Sequence, residues 1–550
     1  VREALESARW APNHKRTEPW RFYLLDDERI RRLADMNAEL LAREGSSPDK
    51  VELKRRQWAE VPGVVVFTVR SAPDADEVTR REDYAAVVAA AHNAALAKLY
   101  QFFERAVRST VRATLELKGL PEPDYPAHVA VCEAIARRNE QAAVEAARAL
   151  LADVPRIHAE TAAGQYDGAV ALLRDQLPAL LAEAPGMRRT VEPVAEVAIR
   201  ELAGFARWLR AGLRDGTDPG RDPRLGRRLW EARLWHTLDT ELTARQVQDL
   251  AWANLDRVTE EIREAAVELV GGPASDDAVR QALRLLADEH PDEASIVPLA
   301  RRTLDEATDF VADAELVSLV DDPCVIRTMP EHDRGVAVAY CDPPGPLETA
   351  DVPTFYCIAP APADWPATRV ESFYREYNNH MIRNLTVHEA MPGHFLQLAH
   401  ARRYRGSSRV RALGHSGPFV EGWAVYAEQL MAERGFGGLA VRLQQLKMQL
   451  RMTINALLDQ LVHCEGMTEA DGMALMTGRG FQEEGEAAGK WRRALLTSTQ
   501  LSTYFVGYTQ IAQIAARRPH GVSVRAWHDA MLAHGSPPPR HLPTLLGLPS

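Results

Sequence analysis

The chain carries two histidines and a glutamate in the run His388-Glu-Ala-Met-Pro-Gly-His394. Imidazole nitrogens are common zinc ligands, and a glutamate beside the first histidine is placed to take a proton from water. In the common HExxH form the two histidines lie one helical turn apart on the same face. Here the second comes six positions after the first. A regular helix, at about 100° per residue, cannot bring His388 and His394 to one face.

The residues between the two histidines offer a way around this mismatch. Pro392 cannot donate a helical hydrogen bond and Gly393 tolerates unusual backbone angles, so the helix can bend or bulge there. We therefore predict a kinked helix on which His388 and His394 bind the metal and Glu389 acts as general base. The alternative is that the Pro-Gly pair ends the helix and His394 is an ordinary loop or core histidine.

A third ligand is predicted at Glu421, which lies in an apolar, helix-forming run from Phe419 to Leu430. Three protein ligands and one open position are typical of a catalytic zinc, whereas a closed structural site more often recruits cysteine. The five cysteines of the chain show no CxxC pairing. Glu428 shares a helical face with Glu421 and could accept a hydrogen bond from a metal-bound histidine, or simply be a solvated glutamate.

These residues resemble the signature HExxPGHxxQ followed by EGWAxYxE, which a family of bacterial proteins of unknown function shares within the gluzincin-like peptidase clan. The matching positions are His388, Glu389, Pro392, Gly393, His394, Gln397, Glu421, Gly422, Trp423, Ala424, Tyr426 and Glu428. The second segment also resembles the third-ligand helix of the thimet-oligopeptidase family, which implies that Glu421 rather than Glu428 binds the metal. The resemblance covers residues 155–550 and implies a Zn²⁺-dependent hydrolase of short peptides.

Near the C-terminus, Tyr504 and Tyr508 occupy the position where such peptidases keep a tyrosine-bearing helix over the zinc. They share a helical face, so either phenol could donate to a developing oxyanion, with Tyr504 preferred. Both could equally be packing residues. His463 is a further candidate for transition-state contact and Asp459 for support of the metal ligands, although their spacing also suits a plain helix-surface pair.

The elements that must position these residues are mainly helical. We predict helices within 170–183, 191–213, 244–269, 275–289 and 296–311, with breaks at Asp215–Pro223 and Gly271–Pro273. Two short strands, Gly335–Tyr340 and Thr354–Ile358, are predicted to form a β-hairpin beside the zinc helix. Its edge could hold an extended peptide by backbone hydrogen bonds, or it could only cap the cleft.

The first part of the chain differs from the rest. Residues 1–98 resemble the first half of a nitroreductase-type flavoprotein, through the segments 8–14, 17–22, 61–67 and 82–94. The resemblance implies a short α/β fragment that should not bind FMN alone, because it lacks the family's flavin-phosphate arginines and its later half. Residues 99–154 resemble the tail of the ligand-sensing helical domain of GntR-family regulators. We thus predict three segments, 1–98, 99–154 and 155–550.

Composition sets the wider frame. A hydrophobic fraction of 46% and a charged fraction of 26% describe a helix-rich globular protein, and a net charge of −11 argues against general nucleic-acid binding. No membrane span or leader is evident, and the cysteines are scattered, so a cytoplasmic location is expected.

The sequence therefore predicts a zinc metallopeptidase with a peptide substrate. The alternatives are a non-catalytic metal- or ligand-binding protein and, less favoured, a flavin-dependent reductase that uses the N-terminal segment. Substrate sequence, endopeptidase or carboxypeptidase action and oligomeric state are left open.

Overall fold

The structure is a computed structural model, which describes residues 20–25, 27–43, 47–59, 64–69, 125–137, 139–151, 154–214, 221–329, 334, 338–348, 352–362, 365–404 and 414–549. The chain divides into two compact units, Val1–Pro123 and Asp124–Ser550. The segment boundaries expected near residues 98 and 154 stay predictions.

The described part of the first unit contains a two-stranded antiparallel sheet and two helices. Strands β1 (Trp20–Leu25) and β2 (Val64–Val69) pair along their whole length, and α1 (Asp27–Arg43) and α2 (Pro48–Ala59) connect them. Helix α1 buries Ile30, Ala34 and Ala38, which are four residues apart and therefore share one face. The apolar segment 61–67 overlaps strand β2, whereas segments 8–14 and 82–94 lie outside the described residues.

The second unit is mainly helical, as predicted. In chain order its helices are α3 (Tyr125–Ala136), α4 (Glu140–Leu151), α5 (Arg156–Asp175), α6 (Leu177–Glu183), α7 (Arg188–Arg214), α8 (Arg227–Leu238), α9 (Ala244–Val270), α10 (Asp276–Ala287), α11 (Ile296–Asp313), α12 (Ala367–Glu376), α13 (Asn379–Glu389), α14 (His394–Arg402), α15 (Gly417–Glu433), α16 (Gly438–Glu465), α17 (Glu469–Ala474), α18 (Glu484–Leu496), α19 (Thr503–Ala516), α20 (Val524–Leu532) and α21 (Leu542–Leu545). Short 3₁₀ turns at Pro185–Met187 and Pro539–His541 and a π turn at Leu475–Arg479 complete the described helical structure.

Local sequence explains where the long helices begin and end. Helix α9 starts at a capping box, in which the Thr243 hydroxyl accepts from the Gln246 amide and the Gln246 side chain accepts from the Thr243 amide. It ends at Gly271, because a residue with a φ of 76° cannot extend a right-handed helix. The predicted break at Gly271–Pro273 is therefore confirmed. No described helix combines the length and the apolar character needed to cross a bilayer.

A small sheet lies within this helical unit. Strands β3 (Cys324–Thr328), β4 (Ala339–Asp342) and β5 (Thr354–Ile358) are ordered β3-β5-β4. The predicted hairpin is confirmed as the antiparallel pair β4 and β5, while the parallel strand β3 was not predicted. This order leaves β4 at one edge of the sheet, in contact with α13.

Two hydrophobic cores hold the helices. One joins α8, α9, α10, α16 and α18, and the other joins α11, the sheet, α13, α14 and α20. Helices α15 and α19 contribute to both, since Val425 and Phe505 belong to the first core while Phe419 and Ile511 belong to the second. These two helices therefore connect the two cores.

Candidate metal centre

The helix that carries the first histidine is interrupted before the second. Helix α13 ends at Glu389 and α14 begins at His394, with a cis Met391–Pro392 peptide between them. The Gly393 amide donates to the Val387 carbonyl at 3.0 Å. A Cβ at Gly393 would lie 1.9 Å from the carbonyl oxygen of His388, so only glycine fits this approach. Instead of the one kinked helix that we predicted, the chain forms two helices: the first ends before the Pro-Gly pair, as in the alternative, and His394 begins the second.

A tryptophan from the third-ligand helix holds this interruption in place. The indole of Trp423 on α15 donates to the Pro392 carbonyl at 2.9 Å, and the ring is fully buried. This contact satisfies a carbonyl that the broken helix leaves unpaired. It also links α15 to the loop between the two histidines.

His388, His394 and Glu421 come together at this point. One ligand atom from each lies within 4.8 Å of the others. The Glu421 Oε2 atom is 3.5 Å from Nε2 of His388 and 3.5 Å from Nε2 of His394. The two imidazole rings meet edge to face, with centroids 4.6 Å apart.

This arrangement fits a zinc ion. Tetrahedral zinc with bonds of about 2.1 Å separates its ligand atoms by roughly 3.4 Å, close to the observed spacing. Oε2 of Glu421 is buried, and apart from the two imidazole nitrogens at 3.5 Å it has no polar partner within the described chain, which is costly for a carboxylate oxygen unless a cation is bound to it. Two imidazoles and one carboxylate form a donor set typical of catalytic zinc.

Glu428 orients the first histidine. Nδ1 of His388 donates to Oε1 of Glu428 at 2.6 Å, and Nδ2 of Asn384 donates to Oε2 at 2.6 Å. Because Nδ1 is occupied, Nε2 is the nitrogen directed at the shared ligand position. Glu428 is buried, so this residue is not a solvated glutamate.

The charges of the cluster depend on one another. Burial raises the pKa of the Glu389 carboxyl, although the two histidines lower it. For Glu421, burial also acts to raise the pKa, but hydrogen bonding and charge from His388 and His394 leave it well below its ordinary value. Burial acts to lower the pKa of His388, while the hydrogen bonds that it donates to Glu421 and Glu428 raise its pKa well above the ordinary value.

The two tyrosines of α19 have different surroundings. Tyr504 lines the same cavity as His388 and Glu389, and burial together with the Glu421 charge raises its pKa to about 12. Tyr508 instead donates to Gln429 and accepts from Gln449 at 3.3 Å. The structure thus brings Tyr504, but not Tyr508, to the cavity.

Asp459 and His463 are not brought to the ligand cluster. The Asp459 carboxylate accepts from the Trp230 indole at 3.0 Å, from the Thr499 amide at 3.0 Å and from the Ser502 hydroxyl at 2.7 Å. Nε2 of His463 donates to the carbonyls of Ala494 and Thr497, at 2.9 and 2.8 Å. Both residues are buried, and their hydrogen bonds hold the segment that leads into α19. The alternative that they form an ion pair on the helix surface is therefore wrong.

A cavity of about 1020 Å³ opens beside the ligands. His388 and Glu389 line it on one side, and the edge strand contributes Ala339. Helix α18 supplies a charged wall that includes Lys490 and Arg493. Sequence reasoning missed these two cations and Asn384. A run of charged residues at helical spacing before the tyrosine helix was the available signal for Lys490 and Arg493.

Comparison with known proteins places this geometry in context. A family model described as a bacterial protein of unknown function (DUF885) matches residues 67–546, and a nitroreductase family model matches residues 1–98. No curated protein matches the chain. The resemblance of residues 99–154 to a regulator domain stays an interpretation.

Two solved structures share the fold. A "putative lipoprotein of unknown function" from Shewanella oneidensis is 31% identical, with a TM-score of 0.62 over 74% of this chain and 76% of that one. A "putative lipoprotein" from Colwellia psychrerythraea is 17% identical, with a TM-score of 0.54 over 65% of this chain and 62% of that one. Since the first family model spans far more than half of the chain, the protein belongs to the DUF885 family of bacterial proteins of unknown function.

Proposed function

We propose that the protein is a zinc-dependent hydrolase of peptide bonds in short peptides. The observation that carries the proposal is the convergence of His388, His394 and Glu421 within 4.8 Å, at the wall of a cavity that Glu389 and Tyr504 also line. The likeness of the two motifs to those of gluzincin-like peptidases supports the same conclusion. When bound, Zn²⁺ supplies Lewis acidity, which acidifies water and polarises an amide carbonyl.

Glu389 and Tyr504 then have separate tasks. The Glu389 carboxylate takes a proton from water as the water oxygen bonds to the carbonyl carbon, and it returns that proton to the amine when the C–N bond breaks. Burial raises the pKa of Glu389, which makes it a better base than a solvated carboxylate. The Tyr504 phenol, with a pKa raised to about 12, stays protonated at neutral pH and donates to the oxyanion.

The cavity favours a peptide over a folded protein. A volume of about 1020 Å³ is at the upper end of small-ligand sites, roughly 300–1,000 Å³. Strand β4, which is an edge strand among the described residues, lines the cavity through Ala339, and an extended peptide can add to such an edge through backbone hydrogen bonds.

The test is hydrolysis of a mixed library of short peptides by zinc-loaded protein, followed by mass spectrometry. The wild-type protein is expected to cleave some of its members. Glu389→Gln should keep the zinc and lose about 10²–10⁴-fold in rate, the usual contribution of a general base. Zinc-loaded wild-type protein that cleaves no peptide would favour the alternative of a non-catalytic metal-binding protein.

A further inference from the structure

Two cations of helix α18 face the cavity without a carboxylate partner. Lys490 and Arg493 are three positions apart, so they share one helical face, and both line the cavity. Within the described chain neither side chain forms an ion pair with an aspartate or glutamate. Arg493 interacts with the hydroxyl of Tyr504, which lies in the electrostatic field of Glu421 and Glu389. Arg493 is therefore linked to the metal centre through Tyr504, and Lys490 lies beside Arg493.

The neighbouring basic groups are already satisfied. Lys447 donates to both carboxylate oxygens of Glu376, Arg451 pairs with Glu486, and the Arg369 guanidinium lies 3.6 Å from the centroid of the Trp365 ring. Glu376 and Glu486, which pair with Lys447 and Arg451, cannot also neutralise the charges of Lys490 and Arg493. Glu483 and Glu484, at the start of α18, also line the cavity, but within the described chain neither forms an ion pair with Lys490 or Arg493.

Two neighbouring cations without an ion-pair partner repel each other, which is unfavourable unless an anion binds them. Burial and the like charges of Arg451 and Arg493 hold the pKa of Lys490 well below its ordinary value. A bound anion would offset that repulsion and restore the charged ammonium. A guanidinium and an ammonium side by side also present several donors to a carboxylate, which accepts at two oxygens.

We propose that Lys490 and Arg493 bind the C-terminal carboxylate of a short peptide whose scissile bond lies at the metal centre. This inference rests on the proposed function and deepens it. Because Tyr504 interacts with both Arg493 and the charge of Glu421, a carboxylate bound at these cations would be close to the cleaved bond. The substrate class is therefore short peptides with a free C-terminus, which are cut near that end.

The experiment compares peptides that differ only at the C-terminus, as free acid or as amide. Binding is measured by calorimetry on the zinc-loaded Glu389→Gln protein, and kcat/KM on the zinc-loaded wild-type protein. The free acid should bind about 10–100-fold more tightly than the amide, as expected for hydrogen bonds to a charged group. Lys490→Met and Arg493→Met should each reduce this preference.

Arg492→Met is the matched control. Arg492 is the next residue on α18 but is exposed and donates to the Thr161 hydroxyl at 2.8 Å, so its loss should leave the preference intact. Equal binding of acid and amide, or a preference that survives both Met variants, would overturn the assignment even if peptides are hydrolysed. A preference without any hydrolysis would support the carboxylate site while refuting the proposed activity.

Discussion

At the level of single residues, Glu428 decides which nitrogen of His388 a metal can reach. Its carboxylate accepts from His388 Nδ1 and from Asn384, both at 2.6 Å. The helical spacing of Glu421 and Glu428 was enough to suggest such a partner. The sequence could not reveal Asn384, because its position relative to Glu428 depends on how α13 and α15 pack.

Replacing Glu428 should weaken zinc binding. Glu428→Gln removes the charge that orients His388, and losses of about 10–100-fold in affinity are typical for such partners. Competition with a chromogenic chelator measures the zinc Kd. Glu433→Gln, at an exposed position of the same helix, is the control. An unchanged Kd for Glu428→Gln would contradict the orienting role.

A second residue-level prediction concerns Glu376, whose carboxylate accepts from Lys447 at 2.8 and 2.9 Å. Burial acts to raise the pKa of Glu376, but the charges of Lys447 and Arg451 outweigh the effect of burial. The pKa of Glu376 therefore lies below its ordinary value. The contribution of ionised Glu376 to the stability of the folded protein is therefore complete above the unfolded-state pKa of about 4.3. It is lost as the pH falls through the lower folded-state pKa.

Glu376→Gln should consequently destabilise the protein in a pH-dependent way. At neutral pH it leaves the Lys447 ammonium buried without a partner, which costs about 3–5 kcal/mol. Urea unfolding should show this deficit from pH 7 to about pH 5 and a smaller one below about pH 4. Glu371→Gln, exposed on the same helix, should have little effect. A deficit that stays constant to about pH 3 would contradict the assigned pKa direction.

At the level of elements, the crossing of α15 and α19 sets the position of Glu421 relative to Tyr504. A Cβ at Gly422 would lie 2.3 Å from the Gly507 carbonyl carbon, and a Cβ at Gly507 would lie 2.0 Å from the Pro418 oxygen. The two backbones are therefore in direct contact. Glu421 precedes one of these glycines, and Tyr504 is one helical turn before the other.

Gly507→Ala should force the two helices apart. Such overpacking typically costs about 1–3 kcal/mol, and it would move Tyr504 away from the metal ligands. We expect a lower Tm and slower peptide hydrolysis. Gly168→Ala is the control, because that exposed helical glycine has no atom within 4 Å of an added Cβ and should gain about 0.5–1 kcal/mol. Equal Tm values for wild-type and Gly507→Ala proteins would refute the contact.

Structural elements that depend on residues close together in the sequence could be predicted. Elements that depend on contacts between residues far apart in the sequence could not. The break at Pro392–Gly393, the end of α9 at Gly271 and the β4–β5 hairpin each follow from residues close in sequence. Strand β3 was missed because its parallel partner lies 30 positions away and no turn connects them. Likewise, the role of Asp459 at the start of α19 depends on Trp230, from another helix.

At the level of the whole molecule, the nitroreductase match covers residues 1–98 only, and the family match that spans most of the chain begins at residue 67. The expected cytoplasmic location stays a prediction, since both similar structures are described as lipoproteins. A flavin-dependent reductase stays the less favoured alternative, because the convergence of His388, His394 and Glu421 favours a metal centre.

The purified protein should therefore be colourless. We expect no FMN absorbance in the visible range, and no change in Tm when FMN is added, because a ligand that binds the folded state would raise it. Zinc should raise the Tm in the same assay and serves as the positive control. Yellow protein with bound FMN would restore the flavin-dependent reductase as a candidate.

The most direct test of the metal centre is the zinc content of the purified chain, measured by elemental analysis for wild-type, His388→Ala and Glu421→Ala proteins. His400→Ala is the control, because that histidine lies on α14 but contacts the Ser318 carbonyl at 2.8 Å. We predict about one zinc per chain in the wild-type and control proteins and none in the two ligand variants. Wild-type protein without zinc after reconstitution, or ligand variants that keep it, would contradict the account.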